Sequence, residues 1–182
     1  MRSKPHARLG NRMGPGAVCS WMTATAKRLA ALGALTLLVG CDHATKFAAK
    51  ADLQGEAPRK LIAGILDLQY VENRDVAFNA LRWIPETTRA PILLIVSGVA
   101  SLCLCLLVLS RPWRPWTKVA LVLVAAGAVG NYLDRFVRGY VVDFMHVQHW
   151  PVFNVADIYV SLGVGLLLVS MRLTRRSARD GR

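Results

Sequence analysis

Asp143 and Asp157 stand in a polar stretch that runs Gly130-Asn131-Tyr-Leu-Asp134-Arg135, then Val142-Asp143-Phe144, then Phe153-Asn154-Val-Ala156-Asp157. Strongly apolar runs flank it on both sides. A carboxylate at the edge of a bilayer is expensive, so an acid kept there is a functional candidate. Two such acids suggest more: a pair that cannot both ionise can hydrolyse a peptide bond. The charged member takes a proton from water, and the protonated member donates to the scissile carbonyl. Such a pair titrates as a unit, so the residue types alone leave the two roles unassigned.

The polar neighbours of this pair each have a plain reading as well as a chemical one. Asn131, Asp134 and Arg135 lie at i, i+3 and i+4 and share one helix face. Asp134 reads first as part of a self-satisfied helix end. Asn131 and Arg135 fit that role or the holding of an anion or lipid headgroup. Asn154 and Asp157, three apart at the start of an apolar run, are an N-cap and an N3 acid, which is compatible with a catalytic role. Asp42 and Lys46 are an i, i+4 ion pair in the first apolar run. Glu72-Asn73-Arg74-Asp75-Val-Ala77-Phe78-Asn79 reads on its face as a solvated turn. His146 and His149 beside Asp143 lack the i, i+4 spacing of zinc-binding helices, so no metal site is expected. Leu38-Val39-Gly40-Cys41 after a basic start is the pattern of a lipidation signal. Three more apolar runs follow it, which weighs against that reading.

Membrane helices are the elements that would position these residues. Hydrophobic residues make up 54% of the 182, and four apolar stretches approach bilayer length: Leu29–Ala49, Ala90–Ser110, Val119–Leu133 and Val152–Met171. The net charge of +12 is unevenly spread. Arg2, Lys4, Arg8, Arg12, Lys27 and Arg28 precede the first run, Arg111, Arg114 and Lys118 separate the second from the third, and Arg172, Arg175, Arg176, Arg179 and Arg182 end the chain. The segments 50–89 and 134–152 are balanced in sign. This positive-inside pattern predicts four spans with both termini and the 111–118 loop cytoplasmic. It also explains the high pI without nucleic-acid binding, which is not expected. The four cysteines show neither a disulfide framework nor a zinc spacing.

Three parts follow: a basic, disordered tail over 1–27, a four-span domain over 28–172, and a basic cytoplasmic tail over 173–182. Residues 1–21 read either as a true tail or as sequence upstream of a start at Met22. The 50–89 segment is too long for a plain connector. Leu66, Leu68 and Tyr70 alternate with polar residues as in a short strand. Asn79–Arg89 predicts a short amphipathic helix or turn on the outer leaflet, with Trp83 at headgroup depth.

Taken in order, these segments resemble the signal peptidase II family. The likeness rests on Asp42-x-x-x-Lys46, Glu72-Asn73-x-x-x-Ala77-Phe78, Gly130-Asn131-x-x-Asp134-Arg135, Gly139-x-Val-Val-Asp143-Phe144 and Phe153-Asn154-x-Ala156-Asp157. No single motif is specific, but five in order within a basic-inside, four-span pattern are. The resemblance implies an all-α membrane protein of four transmembrane helices with a small outward-facing β-subdomain and a short amphipathic outer helix. It implies an aspartic protease of the bacterial inner membrane, monomeric, in contact with membrane lipids, and needing no cofactor or metal. Its substrates would be diacylglyceryl-modified prolipoproteins, cut on the amino side of the lipidated Cys near the outer leaflet. The catalytic pair maps onto Asp143 and Asp157, and the supporting set onto Asp42, Lys46, Asn73, Asn131, Asp134, Arg135, Asn154 and Ala156. One position departs: Asp75 stands where the family usually has Gly, so the turn must be made by a residue that tolerates left-handed backbone less well. A non-catalytic paralogue and a metal-dependent, lipid-modifying membrane enzyme remain as the competing readings.

Overall fold

The computed structural model describes residues 15–62, 64–75, 81 and 83–179. In chain order these form α1 (Pro15–Leu53), β1 (Arg59–Ile62), β2 (Leu66–Asn73), α2 (Glu86–Ser110), α3 (Pro115–Arg138), β3 (Val141–Val147) and α4 (Val155–Arg179). α2, α3 and Val155–Leu173 of α4 are each long and apolar enough to cross a membrane. Among the described residues α1 supplies no such stretch: Lys27 and Arg28 precede its apolar part, and Asp42, His43 and Lys46 sit in the half that meets the sheet.

Helix ends differ from the apolar runs for local reasons. α1 is 39 residues long, about 58 Å, nearly twice the hydrocarbon thickness of a bilayer. It begins at Pro15, a residue suited to the first helical position, and so enters the segment expected to be a disordered tail. α4 likewise continues to Arg179, into the expected cytoplasmic tail. α2 starts at Glu86, whose charge suits a helix N-terminus, so Glu86–Arg89 are the first turn of a long helix rather than a separate outer one. Residues 79, 80 and 82 of that expected outer helix, and 76–78 before it, lie outside the described residues. Trp83 is exposed. α3 ends at Gly139, whose φ of 80° is left-handed and whose N–H bonds Arg135 O at 3.0 Å. Val141 and Val142, both β-branched, then take the chain into β3.

Small residues decide which helix lies at the centre. Within its apolar window α3 is 44% buried, against 11% each for α2 and α4. Ala120, Ala125, Ala126, Gly127 and Gly130 face its neighbours. A Cβ at Gly127 would lie 2.3 Å from Ala156 O, so α3 and α4 can approach this closely only without one. Outward-facing Ile95, Val99 and Leu102 of α2 and Leu162 and Leu168 of α4 are exposed, an apolar surface that requires hydrocarbon around it.

The sheet, antiparallel in the order β1-β2-β3, caps one end of the helices. Its register pairs Asn73 with Val141, Val71 with Asp143 and Leu66 with Val147. Phe144, Leu68, Tyr70 and Met145 pack on Ala49 and Leu53 at the end of α1. The 148–152 connection folds back along β3: Phe144 N and Met145 N both donate to Phe153 O, at 3.1 and 2.9 Å. This return places Asn154 and the start of α4 beside Asp143.

Candidate active site

Asp143 comes from a strand and Asp157 from the first turn of a helix, and Asn154 joins them. Asn154 is the N-cap of α4, as its spacing from Asp157 predicts. Asp157 N donates to Asn154 Oδ1 at 3.2 Å, and Asn154 N donates back to Asp157 Oδ2 at 3.1 Å. That reciprocal cap leaves the Asn154 amide nitrogen free, and it donates to Asp143 Oδ1 at 2.6 Å. The other oxygen of Asp143 accepts from Asn73 Nδ2 at 2.8 Å, across the β2–β3 pair. Asn131 on α3 closes the ring: its Nδ2 donates to Asp157 Oδ1 at 2.9 Å, and its Oδ1 accepts from Asn154 Nδ2 at 3.1 Å. Three amides thus hold the two carboxylates from three elements.

Behind this ring lies a buried, charge-neutral network. Lys46 and Asp42 have no solvent exposure, and Asp134 has 1%. The Lys46 ammonium lies 2.8 Å from Asp42 Oδ2 and 3.0 Å from Asp134 Oδ2, and donates to Asn131 Oδ1 at 2.9 Å. Asp134 also pairs with Arg138 and accepts from Val142 N at 3.2 Å. Asp42 Oδ1 accepts from Ala156 N at 2.9 Å, which ties α1 to the first turn of α4. The expectation of a helix-face ion pair at Asp42 and Lys46 is therefore too modest. The pair exists, but it is buried and linked to α3 and α4. Asp134 does stabilise the end of its helix, through Arg138 rather than the adjacent Arg135. Gly130 makes room for this packing, since a Cβ there would lie 2.5 Å from Asp42 Oδ2.

A cleft of about 700 Å³ opens over the ring. Asn73, Asn131, Arg135, Asp143 and Asp157 line it, with Asp75, Trp150 and Phe153. Asn154, Asp42, Lys46, Asp134 and Ala156 lie behind the lining and fix it in place. All ten residues picked from the sequence thus meet at one end of the bundle. Burial pushes the Asp143 carboxyl up to about 6, and the neighbouring Asp157 charge adds to that. The hydrogen bonds from Asn73 and Asn154 and the charge of Lys46 oppose it. An acid poised there can hold a proton near neutral pH beside a second carboxylate, as general acid–base chemistry requires.

One residue singled out in the sequence has a different setting from the one its local pattern suggests, and one escaped the sequence reading. Asp75 is not in a solvated turn. It is 3% exposed and accepts from Arg89 Nη1 at 2.9 Å. The available signal was Asn73-x-Asp75, an Asx-turn spacing, and Asp75 N does donate to Asn73 Oδ1 at 2.9 Å. Trp150 carried no pattern at all. It lines the cleft because the 148–152 connection doubles back. His146 lies three positions from Asp143 on β3 and so faces the other side of the sheet. Among the described residues no three His, Cys, Asp or Glu side chains converge as a metal site would need.

Known proteins share this arrangement of chain. The chain is 39% identical over 112 residues to the lipoprotein signal peptidase of Caldicellulosiruptor bescii, covering 62% of this chain and 71% of that one. It is 38% identical over 144 residues to the lipoprotein signal peptidase of Symbiobacterium thermophilum, covering 74% and 89%. With that of Streptococcus pyogenes serotype M1 it shares 34% over 148 residues, covering 80% and 93%. The fold is similar to that of a bacterial membrane enzyme solved by the in meso method at 1.9 Å resolution. The TM-score is 0.67 at 23% identity, over 78% of this chain and 92% of that one. The profile of the signal peptidase (SPase) II family matches residues 34–173, the whole stretch from the apolar half of α1 to the end of the α4 span, and the chain belongs to that family of membrane peptidases.

Proposed function

We propose that the protein is an aspartic endopeptidase that removes signal peptides from diacylglyceryl-modified prolipoproteins, cutting on the amino side of the lipidated Cys. The observation that carries this reading is the joint hold of Asn154 on Asp143 and Asp157, at 2.6 and 3.1 Å, in the floor of an open cleft. Asp143, shifted toward neutral pH by burial, holds the shared proton and donates it to the scissile carbonyl. Asp157 takes the proton of the attacking water. Asn73, Asn131 and Asn154 keep both carboxylates oriented through the cycle, and Arg135 offers a positive charge to the developing oxyanion. No metal or cofactor enters this scheme.

The reading includes four spans, with α1 as the fourth. α1 begins beside basic residues and buries Asp42 and Lys46 against α3 and α4, so its charged half need not face lipid. The positive-inside rule then puts both termini in the cytoplasm of a bacterial inner membrane and the sheet and cleft at the outer leaflet. A lipidated substrate arrives there laterally. The deciding experiment is cleavage of a diacylglyceryl-modified prolipoprotein by the purified protein in detergent with a chelator present, beside Asp143→Asn and Asp157→Asn. Wild-type cleavage lost in both folded variants supports the dyad. Activity surviving either substitution refutes it, and inhibition by the chelator favours a metal enzyme.

A further inference from the structure

Among the described residues Asp75 is the one buried acid in the site region that the reading above leaves without a role. Its side chain is 5% exposed and that of Arg89 13%. Asp75 sits just beyond β2, while Arg89 is in the first turn of α2, so their 2.9 Å contact ties the two ends of the outer loop together. Leu81 N donates to Asp75 Oδ1 at 3.3 Å from within that loop.

The backbone of Asp75 makes two further bonds, one toward each half of the dyad. Its N–H donates to Asn73 Oδ1 at 2.9 Å. With that oxygen engaged, the amide of Asn73 can point only its Nδ2 at Asp143, and it does so at 2.8 Å. The carbonyl of Asp75 accepts from Arg135 Nη2 at 3.2 Å, while Arg135 Nη1 donates to Asn131 O at 3.3 Å. Asn131 in turn holds Asp157. Where Asp75 sits thus decides which face Asn73 shows to Asp143 and where Arg135 lies in the cleft.

We infer that the Asp75–Arg89 ion pair is a positioning device, which pins the Asp75 backbone so that Asn73 and Arg135 are aimed at the reacting carboxylates. This rests on the aspartic-peptidase reading of the site. Neither residue reacts; both act through Asn73 and Arg135. Asp143 faces Asn73 from β2, Arg135 from α3, Lys46 from α1, and Asp157 and Asn154 at the start of α4. Of these, the pair governs Asn73 and Arg135.

The test uses Asp75→Asn, Arg89→Gln and the double substitution in the full chain. Each single change leaves one charge buried without its partner and can impair folding. The double change removes both charges and is the variant most able to fold. Thermal unfolding in detergent is followed for all three. Prolipoprotein cleavage gives kcat and KM, and the infrared carboxyl band that is absent in Asp143→Asn reports protonation of Asp143 without needing activity. The double variant should fold, lose about tenfold in kcat with KM little changed, and lose no more activity than a folded single variant. The Asp143 titration should move up by about one unit as the Asn73 bond is lost. A folded double variant with wild-type kcat and an unmoved carboxyl band overturns the inference, as does a loss confined to KM. If the wild type does not cleave, the peptidase reading fails instead, and the infrared titration still decides whether the pair positions Asn73.

Discussion

Replacing Lys46 with Met should be the most damaging single change behind the cleft, and its cost follows from geometry. The ammonium serves two carboxylates at 2.8 and 3.0 Å and the Asn131 carbonyl at 2.9 Å. At an effective dielectric near 20, each ion contact is worth roughly 6 kcal/mol of gross attraction. Met fills the same space but supplies none of it, and leaves the two carboxylates with Arg138, paired to Asp134, and with His43, whose Nδ1 lies 3.7 Å from Asp134 Oδ1. Breaking a buried pair in this way costs about 3–5 kcal/mol, a large part of the stability of an ordinary domain. The loss should be one of charge balance rather than of one bond. Adding Asp42→Asn restores neutrality, keeps an acceptor for Ala156 N, and should recover about half of the cost. Asp42→Asn alone instead leaves an excess positive charge and should cost about 2 kcal/mol or more. Reversible unfolding in detergent, followed by circular dichroism, gives all three values and their coupling. A Lys46→Met cost below about 1 kcal/mol, or no recovery in the double variant, would refute the picture of a closed neutral network.

Other perturbations probe the site from different directions. With Asp143 raised to about 6, the folded chain holds a proton that the unfolded chain releases near 3.8, so ionisation of Asp143 opposes folding as pH rises through that window. Asp143→Asn turns an NH2 toward one of the two amide donors, a cost present at every pH, so its effect on the unfolding temperature should be more favourable at pH 8 than at about pH 3.5, below both pKa values; a change independent of pH would contradict the burial argument. In the free enzyme, kcat/KM should fall as pH rises above about 6, while kcat falls at higher pH because bound substrate buries the carboxyl further. A kcat/KM profile flat to pH 8 would remove Asp143 as the proton carrier. Gly127→Ala should cost about 1–3 kcal/mol and depress cleavage, since its Cβ would push on Ala156 O, next to Asp157; unchanged melting and turnover would show that α4 can move aside freely. Asn154→Ala removes the cap and the tie to Asp143 together, and should cost about 1–2 kcal/mol in thermal melting and most of the activity.

What could be read from the sequence depended on how far apart the interacting residues lie along it. The cap of Asn154 on Asp157 is a three-residue spacing, and so is legible. So is the shared face of Asn131, Asp134 and Arg135. The apolar lengths located α2, α3 and the start of α4 within a few residues but missed the continuation of α4 to Arg179, and the ends of α2 and α3 were set by Glu86, Pro115 and Gly139, local signals that outweigh hydropathy. β2 announced itself by alternation. β3 did not, because Val141–Phe144 are buried on both sides and show no period of two. Least legible were the bonds between distant segments: Lys46 to Asp134, Asp42 to Ala156 and Asp75 to Arg89. Each alone has an adequate local explanation as a helix pair, a cap or a turn. Only the folded chain shows that these explanations share atoms.

That sharing also accounts for why so many polar groups sit so close to apolar surface. The α3–α4 contact is close because Gly127 has no side chain, and it brings Ala156 N within reach of Asp42. Asp42 requires Lys46, and Lys46 in turn requires Asp134 and the Asn131 oxygen. With its oxygen so held, Asn131 can present only its Nδ2 to Asp157. The direction of each amide is thus fixed by the charge behind it, from the neutral network outward to the cleft. A carboxylate in the lining can gain or lose its proton while the Asn131 donor stays where it is, since the Asn131 oxygen is held by the buried Lys46 ammonium. On this argument the network behind the cleft keeps the dyad's geometry constant through changes of charge that would otherwise rearrange it.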